Sequence, residues 1–354
     1  MRDSKLDNPL GCDGFEFIEY SVPNHAEKQK LVALFEGLGF AAIADHRSKD
    51  VTLLRQGEIN FLVNAEPYSH FSSFAKAHGS SVCSFAFKVK DARKALAHAL
   101  SQGAREFEGK ADYMELRIPA IYGIGESVLY FVDNMTGVDI YHVDFIFREG
   151  VDHQPNGVGL EFIDHLTHNV ERGNMDVWSD FYTRIGNFQE AKYFDIKGKA
   201  TGLASRAMSG PDGKIRIPIN ESQDEKSQIH EYLIEYRGEG VQHIALHTPD
   251  IYATMRSLRA AGVAFQRTND AYYAMIDQRI PGHGEDLEQL QALQILIDGA
   301  PGDEGLLLQI FTENAIGPVF FEIIQRKGNQ GFGEGNFQAL FESIEADQIR
   351  RGVI

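Results

Sequence analysis

Two histidines and a glutamate lie in three separate β-rich segments of the second half of the chain. His165, His243 and Glu322 each have mostly apolar neighbours on their own strand face. Two imidazoles and one carboxylate on one face of a site, with the remaining coordination positions open, form the facial triad of non-heme Fe(II) oxygenases. These three residues are therefore our candidate metal ligands.

The positions of the candidates within their segments favour a shared pocket. Residues two apart on a strand lie on the same face, so His165, for example, shares its face with Ile163 and Thr167. Mostly apolar surroundings suit a metal site that restricts water. A single histidine in an apolar strand is more often a hydrogen-bonded core residue, and only the three residues together favour a site.

Two further histidines compete for the role of metal ligand. His168 follows His165 at a spacing of opposite strand parity, which disfavours that pair. His247 has the same parity as His243 and stays an alternative ligand.

The segments that carry the candidates belong to an internal repeat. The matching segments are 14–22 (GFEFIEYSV) with 159–167 (GLEFIDHLT), 82–91 with 241–250, and 128–134 with 307–313. The first two kinds of segment run into helical patterns, two of which end near Gly103 and Gly262, where glycine suits a helix C-terminus. The chain is thus predicted to hold four strand–helix–strands units, beginning near residues 14, 82, 159 and 241.

The two halves of the repeat differ at the candidate ligands. The aligned pairs are His165 with Tyr20, His243 with Ser84, and Glu322 with His142. The first half has no comparable ligand set, so we expect the chemistry in the second half.

The chain of 354 residues is long enough for two domains. The segment 149–157, rich in Gly, Asp, Pro and Asn, predicts a boundary between an N-terminal domain of residues 1–150 and a C-terminal domain of residues 151–354. Residues 336–350 are predicted to form a closing helix with Asn336 as its N-cap, because apolar residues recur there at helical spacing.

Composition excludes several classes of protein. The net charge is −17 without a long basic cluster, which disfavours nucleic-acid binding. No apolar run approaches the roughly 20 residues of a membrane span, and the N-terminus shows no secretory signal. The two cysteines, Cys12 and Cys83, cannot form a disulfide framework and suit reduced thiols in the cytoplasm.

Five segments resemble the 4-hydroxyphenylpyruvate dioxygenase family. They are 163–169 (IDHLTHN), 240–245 (GVQHIA), 308–311 (LQIF), 317–328 (GPVFFEIIQRKG) and 331–337 (GFGEGNF). The resemblance implies an α+β, vicinal-oxygen-chelate fold of the glyoxalase and extradiol-dioxygenase type. Four βαβββ units would form two open-barrel domains, closed by a C-terminal lid helix. It also implies His165, His243 and Glu322 as the ligands of one Fe(II) per chain.

The resemblance further implies which residues contact or orient the substrate. The polar residues with an implied catalytic role are Ser205, Asn220, Gln228, Gln242 and Gln309. The implied substrate-binding residues are Pro218, Phe311, Phe320, Phe332, Asn336 and Phe337.

The implied reaction converts 4-hydroxyphenylpyruvate and O2 to homogentisate and CO2 in tyrosine and phenylalanine catabolism. Homogentisate can also oxidise to the brown pigment pyomelanin. Members of the family are homodimers or homotetramers, and the first half would serve as scaffold and assembly surface. The alternatives are 4-hydroxymandelate synthase, which oxidises the benzylic carbon, and a non-catalytic binding protein on the same fold.

Overall fold

The computed structural model describes residues 6–111, 115–134, 137, 139–198, 200–300 and 305–352, and its strands form two eight-stranded sheets, one from each half. The elements of the first half are β1 (Cys12–Ser21), α1 (His25–Gly37), β2 (Ala41–His46), β3 (Val51–Gln56), β4 (Ile59–Asn64), α2 (His70–His78), β5 (Ser81–Val89), α3 (Ala92–Ser101), β6 (Ala120–Tyr122), β7 (Val128–Val132), α4 (Ile140–Asp144) and β8 (Phe145–Phe147). The elements of the second half are β9 (Ile163–Val170), α5 (Met175–Gly186), β10 (Gln189–Lys197), β11 (Gly202–Ser209), β12 (Arg216–Ser222), α6 (Gln228–Tyr236), β13 (Gly240–His247), α7 (Ile251–Ala260), α8 (Asp270–Ala274), α9 (Ile276–Arg279), α10 (Leu287–Leu293), β14 (Leu296–Ala300), β15 (Gly305–Phe311), β16 (Phe320–Lys327) and α11 (Glu334–Arg351).

The second sheet has the strand order β10-β11-β12-β9-β13-β16-β15-β14. Two βαβββ units meet there at the antiparallel pair β9–β13, and within each unit the first strand lies parallel to the last. The strands β9, β13 and β16, which carry the three candidate ligands, are therefore neighbours.

The first sheet has the order β6-β7-β5-β1-β4-β3-β2-β8. Its first unit repeats the βαβββ order in full. In its second unit the described residues place two strands, β7 and β6, beside β5, and β8 pairs with β2 at the opposite edge. The sheet still has eight strands because β8, which follows the second unit in the chain, pairs with a strand of the first unit.

Strand register corrects two of the three aligned pairs. β5 lies parallel to β7 as β13 lies parallel to β16, so β7 corresponds to β16 and not to β15. The registers match His243 with Ser84, Glu322 with Tyr130 instead of His142, and His165 with Phe17 instead of Tyr20.

The alignment of the two halves was wrong at these two positions because it matched similar residue types and took no account of strand register. The same bulge interrupts both central antiparallel pairs, after Val82 in one and after Val241 in the other. This shared bulge fixes the true correspondence, and a bulge leaves little trace in a single sequence. In the first half the rings of Phe17 and Tyr130 lie 5.6 Å apart, so aromatic side chains stand where the second half has ligands.

One buried apolar cluster contains residues from both halves. The ring of Phe321 in β16 lies 6.1 Å from Phe35 and 6.2 Å from Phe61. Because successive strand residues face opposite sides, this packing holds the strand that presents Glu322 on its other face.

The closing helix α11 spans Glu334–Arg351, two residues longer at its start than predicted. Its N-cap is Gly333, with a left-handed φ of 67°, so the prediction of Asn336 as N-cap is wrong. A side chain at position 333 would meet the Gln309 side chain at 2.3 Å, so glycine allows the helix to start close to β15. Asn336 lies in the first turn, which frees its side chain for other contacts. Among the described helices, none is long and apolar enough to cross a membrane.

Candidate active site

The ligand atoms of His165, His243 and Glu322 lie within 4.8 Å of one another, and all three side chains are buried. Oε2 of Glu322 is 3.2 Å from Nε2 of His165 and 3.4 Å from Nε2 of His243. No other group of three potential metal ligands converges in this way in the described part of the chain. The three neighbouring strands thus bring the predicted ligands together.

Both histidines have an acceptor at their second ring nitrogen. Nδ1 of His165 lies 2.9 Å from Oδ1 of Asp164, and Nδ1 of His243 lies 3.0 Å from Oε1 of Gln242. An acceptor at Nδ1 places the hydrogen there and leaves the lone pair on Nε2. Two imidazole lone pairs and a carboxylate oxygen at such distances repel unless a cation or proton lies between them, so this donor set fits a divalent metal ion.

The surroundings keep Glu322 ionised. Burial raises the pKa of Glu322, but the two imidazoles outweigh it and lower the pKa to about 2. Burial lowers the pKa of His165, whereas Glu322 and Asp164 raise it to about 9. For His243 burial prevails and lowers the pKa. The carboxylate of Glu322 is therefore ionised at neutral pH and can bind a cation without first losing a proton.

The two competing histidines lie outside this cluster. Nε2 of His168 lies 2.7 Å from the hydroxyl of Tyr182, and burial lowers the pKa of His168 to about 3. The ring of His247 stacks on Phe162 at 4.3 Å. His168 is thus a hydrogen-bonded core residue, and His247 is a partly buried residue that contacts Glu161.

A chain of amide hydrogen bonds continues from Glu322 to the closing helix. Nε2 of Gln309 donates to Oε1 of Glu322 at 2.7 Å, and Nδ2 of Asn336 donates to Oε1 of Gln309 at 2.8 Å. The hydroxyl of Tyr272 lies 2.8 Å from Oδ1 of Asn336. The second oxygen of the carboxylate is therefore fixed by neutral groups that reach α11.

A partly enclosed pocket lies above the three candidate ligands. Besides His165, His243 and Glu322, its walls are Thr167, Phe194, Ser205, Pro218, Asn220, Gln309, Phe311, Phe332, Phe337 and Leu340. A largely apolar pocket with a few polar groups is typical of a site for a small organic ligand.

The structure places the predicted site residues in two layers. Seven predicted contacts line the pocket: Ser205, Pro218, Asn220, Gln309, Phe311, Phe332 and Phe337. Phe320 stacks on the ring of His243 at 4.8 Å. Behind the pocket, Gln242 contacts His243, and Asn336 contacts Gln309. Gln228 is the first residue of α6 and does not belong to the pocket wall.

Asn220 leaves an acceptor available at the pocket. Its Nδ2 lies 3.3 Å from Oδ1 of Asn169 and 3.4 Å from Oε1 of Gln242. Within the described residues its Oδ1 has no hydrogen-bond partner. Buried polar atoms are rarely left without one, so this oxygen suits a hydrogen-bond donor of a ligand.

Sequence reasoning did not assign Thr167, Phe194 or Leu340 to the pocket. Strand parity already placed Thr167 on the face of His165, and the hydroxyl of Thr167 lies 2.9 Å from Nε2 of His243. Leu340 lies on the apolar face of α11, one turn from Phe337. No sequence pattern pointed to Tyr272, because it lies in α8, outside the repeated segments, and contacts the site through Asn336.

The comparisons with known proteins agree with this geometry. A family model described as "Hydroxyphenylpyruvate dioxygenase, HPPD, N-terminal" matches residues 6–146. A second model, of the glyoxalase, bleomycin resistance protein and dioxygenase superfamily, matches residues 162–276.

Curated relatives match nearly the whole chain, and two of them illustrate the similarity. "Hemolysin VllY" of Vibrio vulnificus is 61% identical over 98% of both chains. A 4-hydroxyphenylpyruvate dioxygenase of Pseudomonas aeruginosa is 60% identical over 98% of this chain and 97% of the relative.

Solved structures share the fold, and two of them illustrate the similarity. A fusion of a xylose isomerase-like TIM barrel with a 4-hydroxyphenylpyruvate dioxygenase superposes with a TM-score of 0.81 at 33% identity, covering 98% of this chain and 55% of the fusion. A mutant 4-hydroxymandelate synthase from Streptomyces coelicolor gives a TM-score of 0.83 at 24% identity, covering 96% of this chain and 100% of the synthase. The full-length identities, together with the two sheets and the ligand cluster, show that this chain belongs to the 4-hydroxyphenylpyruvate dioxygenase family.

Proposed function

We propose that this chain binds one Fe(II) at His165, His243 and Glu322 and converts 4-hydroxyphenylpyruvate and O2 to homogentisate and CO2. The observation that carries the proposal is the convergence of these three buried side chains beneath a pocket with aromatic walls. The reaction would serve tyrosine and phenylalanine catabolism, and its product can give rise to pyomelanin.

The choice of iron rests on the type of the ligands. Two histidines and a carboxylate with open positions are typical of non-heme Fe(II) oxygenases, although zinc would compete on affinity alone. When bound, Fe(II) supplies the redox chemistry that activates O2 and drives oxidative decarboxylation of the keto acid. The protein supplies orientation, a neutral polar lining and protection from water.

The pocket residues suit an aromatic keto acid. Phe311, Phe332 and Phe337 offer apolar faces to a ring, and aromatic pairs gain stability beyond the area they bury. Asn220 and Ser205 lie in the same wall and can hydrogen-bond a phenol without adding charge. The amide of Gln309 likewise holds Glu322, and that of Asn336 holds Gln309, without altering the charge of the site.

Product analysis tests the proposal. Protein loaded anaerobically with Fe(II) and 4-hydroxyphenylpyruvate, then exposed to O2, should yield homogentisate, identified by chromatography and mass. His165→Ala, His243→Ala and Glu322→Ala should abolish the product, whereas His168→Gln should affect stability more than the identity of the product. Hydroxymandelate would instead identify the sister activity, and no product from folded, iron-loaded protein would support a binding protein.

The proposal extends to the two domains and to the oligomeric state. We assign residues 1–150 to a scaffold and assembly domain and residues 151–354 to the catalytic domain, which agrees with one sheet from each half. A homodimer or homotetramer in the cytoplasm is part of the same proposal. The exposed Ile146 in the edge strand β8 supports an assembly surface there. Light scattering of the purified protein measures the oligomeric state.

A further inference from the structure

A buried carboxylate behind the first candidate ligand is held in a fixed orientation. Asp164 is fully buried, and its Oδ1 lies 2.9 Å from Nδ1 of His165. Arg326 donates to both of its oxygens, from Nε at 2.7 Å and from Nη2 at 2.8 Å. A bidentate pair of this kind fixes the plane of the carboxylate, and through it the orientation of the imidazole.

Arg326 also holds the loop between β16 and α11. Its Nη1 donates to the carbonyl of Asn329 at 3.2 Å and to the carbonyl of Gly331 at 2.6 Å. Arg216 makes a second connection, since its Nη1 lies 3.7 Å from Oδ2 of Asp164 and its Nη2 donates to the Gln330 side chain at 2.8 Å. Two guanidinium groups thus join one carboxylate to one loop.

This loop forms part of the wall of the pocket. Phe332 lines the pocket above the ligands, and its ring lies 6.2 Å from the ring of His165. Phe332 and Phe194 also line a separate surface cleft, together with residues 329–335 and Lys192. The loop therefore separates the ligand pocket from a cleft that is open to solvent.

We propose that Asp164, Arg326 and Arg216 form a positioning unit that couples closure of the loop 329–333 to the orientation of His165. The inference rests on the proposed function, because it treats His165 as a metal ligand. With the loop closed, the guanidinium of Arg326 has four acceptor contacts and holds Asp164 against the imidazole. Displacement of the loop to admit a substrate removes the carbonyl acceptors and loosens the carboxylate. By reciprocity, a metal ion that orders His165 favours the closed loop.

The chemistry of the guanidinium distinguishes this role from that of a simple buried ion pair. A buried pair alone is weak evidence for stability, and lysine could supply the same charge. Only the planar fork of arginine can bind both carboxylate oxygens and two loop carbonyls at once. Arg326→Lys is therefore the informative change, because it keeps the charge and removes the fork.

The first test measures metal binding without turnover. Metal-free protein is titrated with Co(II), followed by its visible absorption. Arg326→Lys should weaken Co(II) binding by about 10- to 100-fold, the usual cost of disturbing a group behind a metal ligand, and should alter the absorption spectrum. Lys327→Met is the matched control: it removes the adjacent cation, which pairs with Glu285 at 2.6 Å and does not contact Asp164. It should change neither quantity.

The second test measures the coupling itself by amide hydrogen exchange. Co(II) should slow exchange in residues 329–333 of the wild type, and this effect should be lost in Arg326→Lys. If that variant fails to fold, Asp164→Asn combined with Arg326→Met removes both charges together and replaces it. The inference would be overturned if Arg326→Lys bound Co(II) with the affinity and spectrum of the wild type. It would also be overturned if Co(II) did not change the exchange of residues 329–333 in the wild type. Unchanged Co(II) binding by His165→Ala would instead overturn the proposed metal site.

Discussion

At the scale of the residue, the site is an arrangement of side chains that leaves each ligand few orientations. Each imidazole has a hydrogen-bond acceptor at Nδ1, and Glu322 has an amide donor on the oxygen that faces away from His165 and His243. Of the three partners, Gln242 and Gln309 are neutral amides, and the charge of Asp164 is paired with Arg326.

Removing the amide behind Glu322 tests this arrangement. Gln309→Leu keeps a similar volume and removes the donor to Oε1 of Glu322 and the acceptor for Asn336. We expect metal affinity to fall by about 10- to 100-fold, with a parallel loss of kcat/KM. Titration with Fe(II) under anaerobic conditions and steady-state kinetics measure the two effects.

The control for this change is Gln289→Leu, which alters an exposed amide on α10 that does not line the pocket. It should leave both quantities at the wild-type level. Wild-type metal affinity in Gln309→Leu would show that the carboxylate needs no support from this amide.

At the scale of the element, the closing helix is tied to the hairpin between β10 and β11. Oε1 of Glu345, a buried residue, accepts hydrogen bonds from the backbone N–H of Ala200 at 3.0 Å and of Thr201 at 2.9 Å, and from the hydroxyl of Thr201 at 3.0 Å. The helix thus stays over the pocket by polar contacts as well as by the packing of Leu340 and Phe341.

Loosening this contact should open the pocket. Glu345→Ala removes charge-assisted hydrogen bonds, which contribute about 1.5–3 kcal/mol each, so α11 should exchange its amide hydrogens faster and KM should rise. Glu342→Ala changes an exposed carboxylate on the same helix and serves as control. Exchange in α11 that is equal in the two variants would contradict a holding role for Glu345.

The first sheet contains a buried carboxyl group, that of Glu19, on the strand that also carries Phe17. Burial raises the pKa of Glu19, although the hydroxyl of Ser84 at 2.6 Å and Nδ2 of Asn64 at 2.7 Å oppose the shift. A carboxyl group with a raised pKa in the folded state contributes stability below its unfolded pKa and loses it as pH rises through the folded pKa.

Glu19→Gln should therefore stabilise the protein at neutral and alkaline pH, because the amide removes the cost of a buried charge. The difference in the free energy of unfolding should shrink as pH falls below the usual pKa of a glutamate, about 4.3. Urea unfolding at several pH values measures it. A variant less stable than the wild type at pH 8 would show that the ionised carboxylate is well satisfied.

At the scale of the whole molecule, the repeat made much of the fold predictable. Strand parity and the duplication were enough to group His165, His243 and Glu322 as one candidate site, and the resemblance supplied the pocket residues. The bulges could not be read from one sequence, so Phe17 and Tyr130 were missed as counterparts. The start of α11 was misjudged because Gly333, rather than Asn336, has the backbone conformation of the cap.

If the triad beneath the aromatic pocket performs a dioxygenase reaction, both atoms of O2 enter the products of the reaction, and isotopic labelling of O2 shows whether they do. Turnover of 4-hydroxyphenylpyruvate under ¹⁸O2 by the Fe(II)-loaded protein should give homogentisate that carries one labelled atom in its carboxylate and one in its new ring hydroxyl, as mass spectrometry of the product would show. Glu322→Ala should give no labelled product. Homogentisate without label, or consumption of O2 that persists in Glu322→Ala, would contradict a dioxygenase reaction at these three ligands.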